Sequence, residues 1–311
     1  MSLKPTSSYP LLYRKISLMK LLLTVAALLV TNTCFAQLSY ETEKDIEFAH
    51  VDGVSLKLDA YLRPSESPMP CIIYVHGGGF TSGDKSQLQA PIFEPLIELG
   101  FSYISINYRL APDVQFPVLT NDVERAIEFI KANAKRFNVN PDKLVLMGDS
   151  AGGLLVSYVG AKHKPGNGVA GVISFFGEHD LVTRASENPC VVDGKTIPRP
   201  KGGCISGGLA AYLGFKEVTD DTKKTLTAAS SVTHVHKDMP PYLLLHGTRD
   251  YGVPIEQSIS MHQRMQRTGN DCRLVSVIAG NHGIGSWSQP GQQHYKTALK
   301  RFLKLKVLEA N

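Results

Sequence analysis

Residues 143–153 read KLVLMGDSAGG, and the rest of the chain is organised around them. Leu144, Val145, Leu146 and Met147 form a short continuous apolar run, the pattern of a strand buried on both faces. It stops at Gly148-Asp149-Ser150-Ala151-Gly152-Gly153, and an apolar helical pattern starts at Leu154. Gly148 and Gly152 bracket Ser150 with the spacing G-x-S-x-G. A serine at so sharp a strand-to-helix turn has a crowded backbone, so the residues two before and two after it must be small. Its hydroxyl then stands clear of the sheet. The helix behind it aims unpaired N–H groups and the positive end of its dipole at any anion formed there.

A serine so placed needs a base, a carboxylate and further backbone donors, and the chain offers each after a separate apolar strand run. Cys71–Val75 leads into His76-Gly77-Gly78-Gly79, Pro241–His246 into Gly247-Thr248-Arg249-Asp250, and Cys272–Ala279 into Gly280-Asn281-His282-Gly283. In an open parallel sheet, reactive loops follow the carboxyl ends of strands, so all of these gather on one edge. Among ten histidines, His282 is the expected base, because glycines at 280 and 283 let its loop turn back toward Ser150. His246, inside a strand end, is expected to pack against the site. Asp250 is the expected acid, which gives the chain order Ser…Asp…His. Asp180, in the sequence FFGEHD, is the rival carboxylate and is assigned to capping the next segment. Asp149 is expected to bond neighbouring loops. The glycines of 77–79 allow main chain to approach a developing oxyanion, with the Ala151 N–H at the helix start completing the set. Their spacing matches neither G-x-G-x-x-G nor G-x-x-x-x-G-K-[ST], so nucleotide-phosphate readings fall away.

Around these strands the pattern alternates. Asp45–Arg63 breaks at Val51-Asp52-Gly53-Val54 and reads as an antiparallel hairpin. Helical spacing is expected over 88–99, 117–137, 255–268 and 293–308, with further strands at 101–107 and 169–176. Strands alternating with helices predict an α/β domain: a mostly parallel sheet with helices on both faces and the hairpin at its N-terminal side. Residues 184–221 lack periodicity, apart from an apolar piece near 209–215, and read as an insertion over the active site. No repeat or second core is evident, so residues 40–311 read as one catalytic domain of a 311-residue chain.

The first 36 residues read as a signal peptide: Lys15 and Lys20, an apolar run from Leu21 to Val30, and small residues ending at Ala36. The run is too short to span a bilayer. Met19-Lys20-Leu21 would open a more ordinary signal peptide. Thr31 and Thr33 fit poorly the approach that lipid attachment at Cys34 would need. The expected destination is periplasmic or extracellular. Removing residues 1–36 takes away four basic residues and no acidic one, leaving 29 basic against 28 acidic. So balanced a surface gives no electrostatic reason to expect nucleic acid or an anionic membrane as partner. Cys190 and Cys204 flank a loop-like stretch and are expected to form a disulfide, whereas Cys71 and Cys272 open strand runs and read as buried thiols. No zinc-type Cys/His spacing occurs, and no metal or organic cofactor is implied.

HGGGF at 76–80, YRLAP at 108–112, GDSAGG at 148–153, HGTRDYGVP at 246–254 and GNHG at 280–283 together resemble the hormone-sensitive-lipase-like branch of α/β-hydrolases. More narrowly, they resemble secreted bacterial esterases of the acetyl-xylan or feruloyl esterase-like type. The resemblance covers roughly 46–308. It implies the α/β-hydrolase fold, with Ser150 as nucleophile, His282 as base, Asp250 as acid, and Gly78, Gly79 and Ala151 as oxyanion donors. It implies a secreted serine esterase working through an acyl-enzyme on short-chain or aromatic esters, small or attached to plant polysaccharide. An amidase or peptidase of arylformamidase-like or prolyl-peptidase-like type would use the same triad, and a scaffold with a vestigial triad is a further alternative. Gly283 and Ile284 depart from the bulky residue common after the glycine–histidine pair. The 184–221 region is unlike a compact cap, so the specificity pocket does not carry over.

Overall fold

The computed structural model describes residues 40–87, 90–164, 168–187, 190–192, 195–197, 205 and 207–310. The expected signal peptide and the expected Cys190–Cys204 bridge, through Cys204, lie outside them. Every described element falls in the unit Glu41–Asn311.

Eight strands form one sheet: β1 (Glu41–Val51), β2 (Val54–Leu62), β3 (Met69–Val75), β4 (Ser102–Ile106), β5 (Val139–Asp149), β6 (Val169–Phe175), and, past a small hairpin of β7 (Cys190–Val192) and β8 (Lys195–Ile197), β9 (Tyr242–Gly247) and β10 (Cys272–Val277). Their order is β1-β2-β4-β3-β5-β6-β9-β10. β1 pairs antiparallel with β2, and β2 with β4. Every later pairing, from β4/β3 across to β9/β10, is parallel. The continuous apolar runs account for this. Cys71–Val75, Leu144–Asp149 and Tyr242–Gly247 are buried throughout, as strands covered on both faces must be. β10 lies at the sheet edge and alternates buried with exposed residues. Cys71 is a buried thiol, and Cys272 is a free thiol that is only partly buried.

The helices that follow the sheet strands are α1 (Ala90–Leu99), α2 (Val118–Ala132), α3 (Ala151–Gly160), α7 (Glu256–Arg267) and, after β10, α8 (Gln289–Leu303). α3, AGGLLVSYVG, is buried along its whole length and packs on β5 and β6, while α2 covers it. α2 is shorter than the expected 117–137. After Ala132 the Asn133 amide donates to the Phe129 carbonyl, the chain turns, and Phe137 drops into the core. α8 starts earlier than expected, because Ser288 caps it by accepting from the Gly291 N–H and Pro290 falls within the first turn, where a missing N–H costs nothing. Beyond Leu303 the winding widens into a π-type turn over Lys304–Leu308.

The stretch expected to be aperiodic carries short elements in its described part: α4 (Leu181–Glu187), the hairpin β7 (Cys190–Val192)/β8 (Lys195–Ile197), and α5 (Gly207–Leu213). It is followed by α6 (Asp220–Ala229), which begins with a Thr219/Thr222 capping box. Buried ion pairs hold the loops at the sheet's carboxyl edge. The Arg109 fork donates to both oxygens of Asp122 at 2.8 Å, tying the segment after β4 to α2. Lys85 bridges Asp45 and Asp59, each at 2.9 Å.

Candidate active site

The turn from β5 into α3 leaves almost no room. A methyl group at Gly152 would lie 2.1 Å from the Val75 carbonyl oxygen, and one at Gly148 would lie 2.5 Å from the Gly152 carbonyl oxygen. These are backbone atoms of packed elements and cannot move aside. Ser150 itself has φ 53° and ψ −118°, a strained conformation for a residue with a side chain. It is held by its N–H donating to the Phe175 carbonyl at 2.9 Å and by Leu154 N–H donating to its own carbonyl at 3.2 Å.

Ser150, His282 and Asp250 come together from three strand ends. Ser150 Oγ lies 3.0 Å from His282 Nε2, and His282 Nδ1 lies 2.8 Å from Asp250 Oδ2. Asp250 is buried in a loop after β9, where the N–H groups of Gly252 and Val253 donate to its Oδ1 at 2.9 and 2.8 Å. Burial alone would raise its pKa. Hydrogen bonding with His246 and His282, and the Val253 N–H, outweigh burial and hold the carboxyl well below its usual range. An ionised Asp250 accepts from the Nδ1–H of His282, which leaves Nε2 facing Ser150 as the acceptor. The imidazole is seated by Phe176, edge-on at 4.8 Å between centroids, and its loop by Asn281, whose Oδ1 accepts from the N–H groups of His282 and Tyr251.

The other residues singled out in the sequence lie as follows. His246 packs behind Asp250: its Nε2–H donates to the Val253 carbonyl at 2.8 Å, and its Nδ1 accepts from Ser258 Oγ at 2.7 Å. Asp180 accepts from Thr183 N–H and Oγ–H and caps α4. Asp149 accepts from the Tyr74 hydroxyl and the Gly77 N–H, and so joins β3 and the glycine loop to the turn. Burial pushes its pKa up despite those donors. Burial likewise lowers the pKa of His76, which stacks on Tyr108 at 4.5 Å and donates from Nδ1 to the Gly77 carbonyl.

Gly79 and Ala151 line a cavity of about 230 Å³ together with Ser150 and His282. Gly78 is not among its lining residues. Its φ is 104°, and its carbonyl accepts from Thr81 and Ser82. Glu178 and Arg184 also line the cavity, and the sequence reading missed both. Arg184 Nε donates to Glu178 Oε1 at 2.9 Å, and its Nη2 donates to the Gly252 carbonyl, which fastens α4 to the loop carrying Asp250. Gly177 after a buried strand was the available signal for Glu178; nothing in the sequence marked Arg184. Among the described residues there is no group of His, Cys, Asp or Glu arranged to hold a metal ion. No helix among them is long and apolar enough to cross a membrane.

Sheet order, nucleophile-type turn and three-residue relay define an α/β-hydrolase fold with a serine-hydrolase arrangement at the carboxyl edge. The BD-FAE family model matches residues 58–265, and the chain belongs to that family. It is 28% identical over 278 residues to the probable carboxylic ester hydrolase LipM of Mycobacterium tuberculosis, covering 85% of this chain and 61% of LipM. It is 26% identical to an acetylxylan esterase of Xylanibacter ruminicola, covering 69% of this chain and 41% of that protein. The chain thus spans about half to three-fifths of the length of the first curated relatives it matches. A truncated carbohydrate esterase from gut microbiota shares its fold with a TM-score of 0.71 at 22% identity, covering 88% of this chain and 98% of that one. An acetyl ester-xyloside bifunctional hydrolase of Caldicellulosiruptor lactoaceticus does so at 0.67 and 22%, covering 84% and 95%.

Proposed function

We propose that this chain is a serine carboxylic-ester hydrolase. The observation that carries the reading is the unbroken line from Asp250 Oδ2 through His282 to Ser150 Oγ, with contacts of 2.8 and 3.0 Å. Ser150 Oγ attacks the ester carbonyl while His282 Nε2 takes its proton. The tetrahedral oxyanion is met by the N–H groups of Gly78, Gly79 and Ala151. Collapse breaks the ester C–O bond, and the leaving alkoxide takes the proton from His282. Water, deprotonated by the same nitrogen, then attacks the acyl-serine and releases the acid. Asp250 stays ionised throughout and stabilises the imidazolium.

A cavity of about 230 Å³ walled by Phe80, Leu209 and Val253, by glycines and by the Glu178–Arg184 pair suits a short acyl group or one flat ring. The substrates proposed are therefore short-chain or aromatic esters, and esters on plant polysaccharide are favoured by the acetylxylan esterase relative. In this reading residues 1–36 are a signal peptide, residues 40–311 are an exported catalytic domain, and about 184–221 is its insertion over the site. Hydrolysis of p-nitrophenyl acetate, p-nitrophenyl decanoate, methyl ferulate, acetylated xylan and p-nitroacetanilide tests the reading. Turnover of the acetate and of at least one polysaccharide or ferulate ester supports it. Cleavage of the anilide alone would make the chain an amidase, and cleavage of decanoate alone would overturn the short-acyl assignment.

A further inference from the structure

We propose that Gly208 and Tyr212 of α5 are positioning residues for the Gly78–Phe80 loop, so that the segment above the cavity sets one wall of the oxyanion site. This rests on the serine-hydrolase reading above.

Two contacts carry it. A methyl group at Gly208 would lie 1.8 Å from the Gly79 carbonyl oxygen, 2.8 Å from its carbon and 3.1 Å from its Cα. The first turn of α5 is therefore pressed backbone to backbone on the residue expected to donate to the oxyanion, with no space for a side chain between them. Four residues on, along the same face, the Tyr212 ring stacks on Phe80, with centroids 4.4 Å apart and planes within 10°. Both rings are buried. Phe116 meets Tyr212 edge-on, and its N–H donates to the Tyr212 carbonyl at 2.8 Å.

The loop needs such support. Gly79 has φ 60° and Phe80 φ 68°, two consecutive left-handed residues, one of them aromatic. A phenylalanine persists there only where its surroundings over-determine it. Ala111 N–H, which donates to the Phe80 carbonyl at 2.9 Å, and the Tyr212 ring do so from two sides. The Gly79 carbonyl shares a planar unit with the Phe80 N–H, and the Gly79 N–H shares one with the Gly78 carbonyl, which accepts from Thr81 and Ser82. With the first unit held by α5 and the second by these loop hydrogen bonds, the course of the backbone that aims the Gly79 N–H is set from both sides. A helix that merely packed on the loop would affect stability. A helix that positions the loop affects transition-state binding, and so acts on kcat.

The test compares Gly208→Ala, Tyr212→Leu, Tyr212→Phe and Gly207→Ala, reading kcat and KM on p-nitrophenyl acetate and the rate at which a fluorophosphonate labels Ser150. Gly207 is left-handed at φ 60° with nothing within 4 Å of a methyl group there, so its alanine variant strains the start of α5 without touching Gly79. Expected for Gly208→Ala is about a 10²-fold loss in kcat and in labelling rate with KM nearly unchanged, the size of losing one oxyanion donor. Tyr212→Leu should lose about 10-fold, Tyr212→Phe should recover most of that, and Gly207→Ala should stay near wild type. If Gly208→Ala does not fold, the Leu/Phe pair at 212 decides. An active wild type whose Gly208→Ala and Tyr212→Leu variants match it, or whose Gly207→Ala loses as much as Gly208→Ala, overturns this proposal alone. A folded wild type that neither hydrolyses nor labels overturns the hydrolase reading and the proposal together.

Discussion

Gly252 lies against the ring of His282: a methyl group at 252 would stand 3.0 Å from His282 Cγ and 3.3 Å from its Cβ and Cδ2. The loop that carries the acid therefore also confines the base. With Phe176 edge-on to the same imidazole and Arg184 bound to the Gly252 carbonyl, the relay is held by packing as much as by its own hydrogen bonds.

Gly252→Val should displace the imidazole. The expected result is a fall in kcat of about 10²-fold, in line with a misplacement near 1 Å, while thermal unfolding moves little because the loop is exposed on its outer side. Steady-state kinetics on p-nitrophenyl acetate beside a melting curve checks it. Unchanged kcat would mean the ring does not depend on this contact.

Asp250→Asn should keep the fold and lower kcat by about 10⁴-fold, since an amide neither fixes the Nδ1–H tautomer nor stabilises the imidazolium. A loss below about 10-fold would remove Asp250 from the role of acid. Asp180→Asn is the companion, expected to leave kcat within about twofold, because Asp180 bonds Thr183 instead.

Gly152→Ala should cost several kcal/mol of stability, since its new carbon would meet the Val75 carbonyl oxygen at 2.1 Å in a fully packed region. Gly285→Ala is the control, with nothing within 4 Å of the added carbon. Urea unfolding of the two variants should separate them clearly; equal stabilities would show that the turn relaxes without cost.

Acid should destabilise the fold partly through His179. Burial, and then repulsion from His246, lowers its pKa from 6.5 to about 3, and its Nδ1 pairs with Ser231 Oγ at 3.2 Å. Between those two values the unfolded chain binds the proton and the folded chain does not, so stability is full above pH 6.5 and falls as pH drops toward 3. From pH 7 to 5 this one group should remove about 2 kcal/mol. Urea midpoints of wild type and His179→Gln at both pH values test it; equal pH dependence in the two would contradict the assignment.

Much of the frame was legible because its physics is local. LVLM before G-x-S-x-G reads as a buried strand meeting a tight turn, and the glycines beside His282 and after His76 marked loops that must bend closely. The order Ser150, Asp250, His282 named three residues that the structure brings into one hydrogen-bonded line. What the sequence hid is what depends on distant partners. Arg184 reaches a carbonyl 68 positions away, and Gly208 matters only because Gly79 lies beneath it. α6 escaped notice because only Leu226 and Ala229 are buried in its ten residues, too few to leave a periodic apolar stripe. The end of α2 and the start of α8 depended on Asn133 and Ser288, single residues whose roles as stop and cap appear only with the backbone in view.

The most direct measurement is intact-mass and peptide mapping of the chain after reaction with a fluorophosphonate, beside Ser150→Ala and His282→Ala. The account predicts one adduct on the peptide that contains Ser150, none in Ser150→Ala, and labelling slowed by several orders of magnitude in His282→Ala. A folded wild-type chain that takes no adduct, or takes it on another residue, would contradict it.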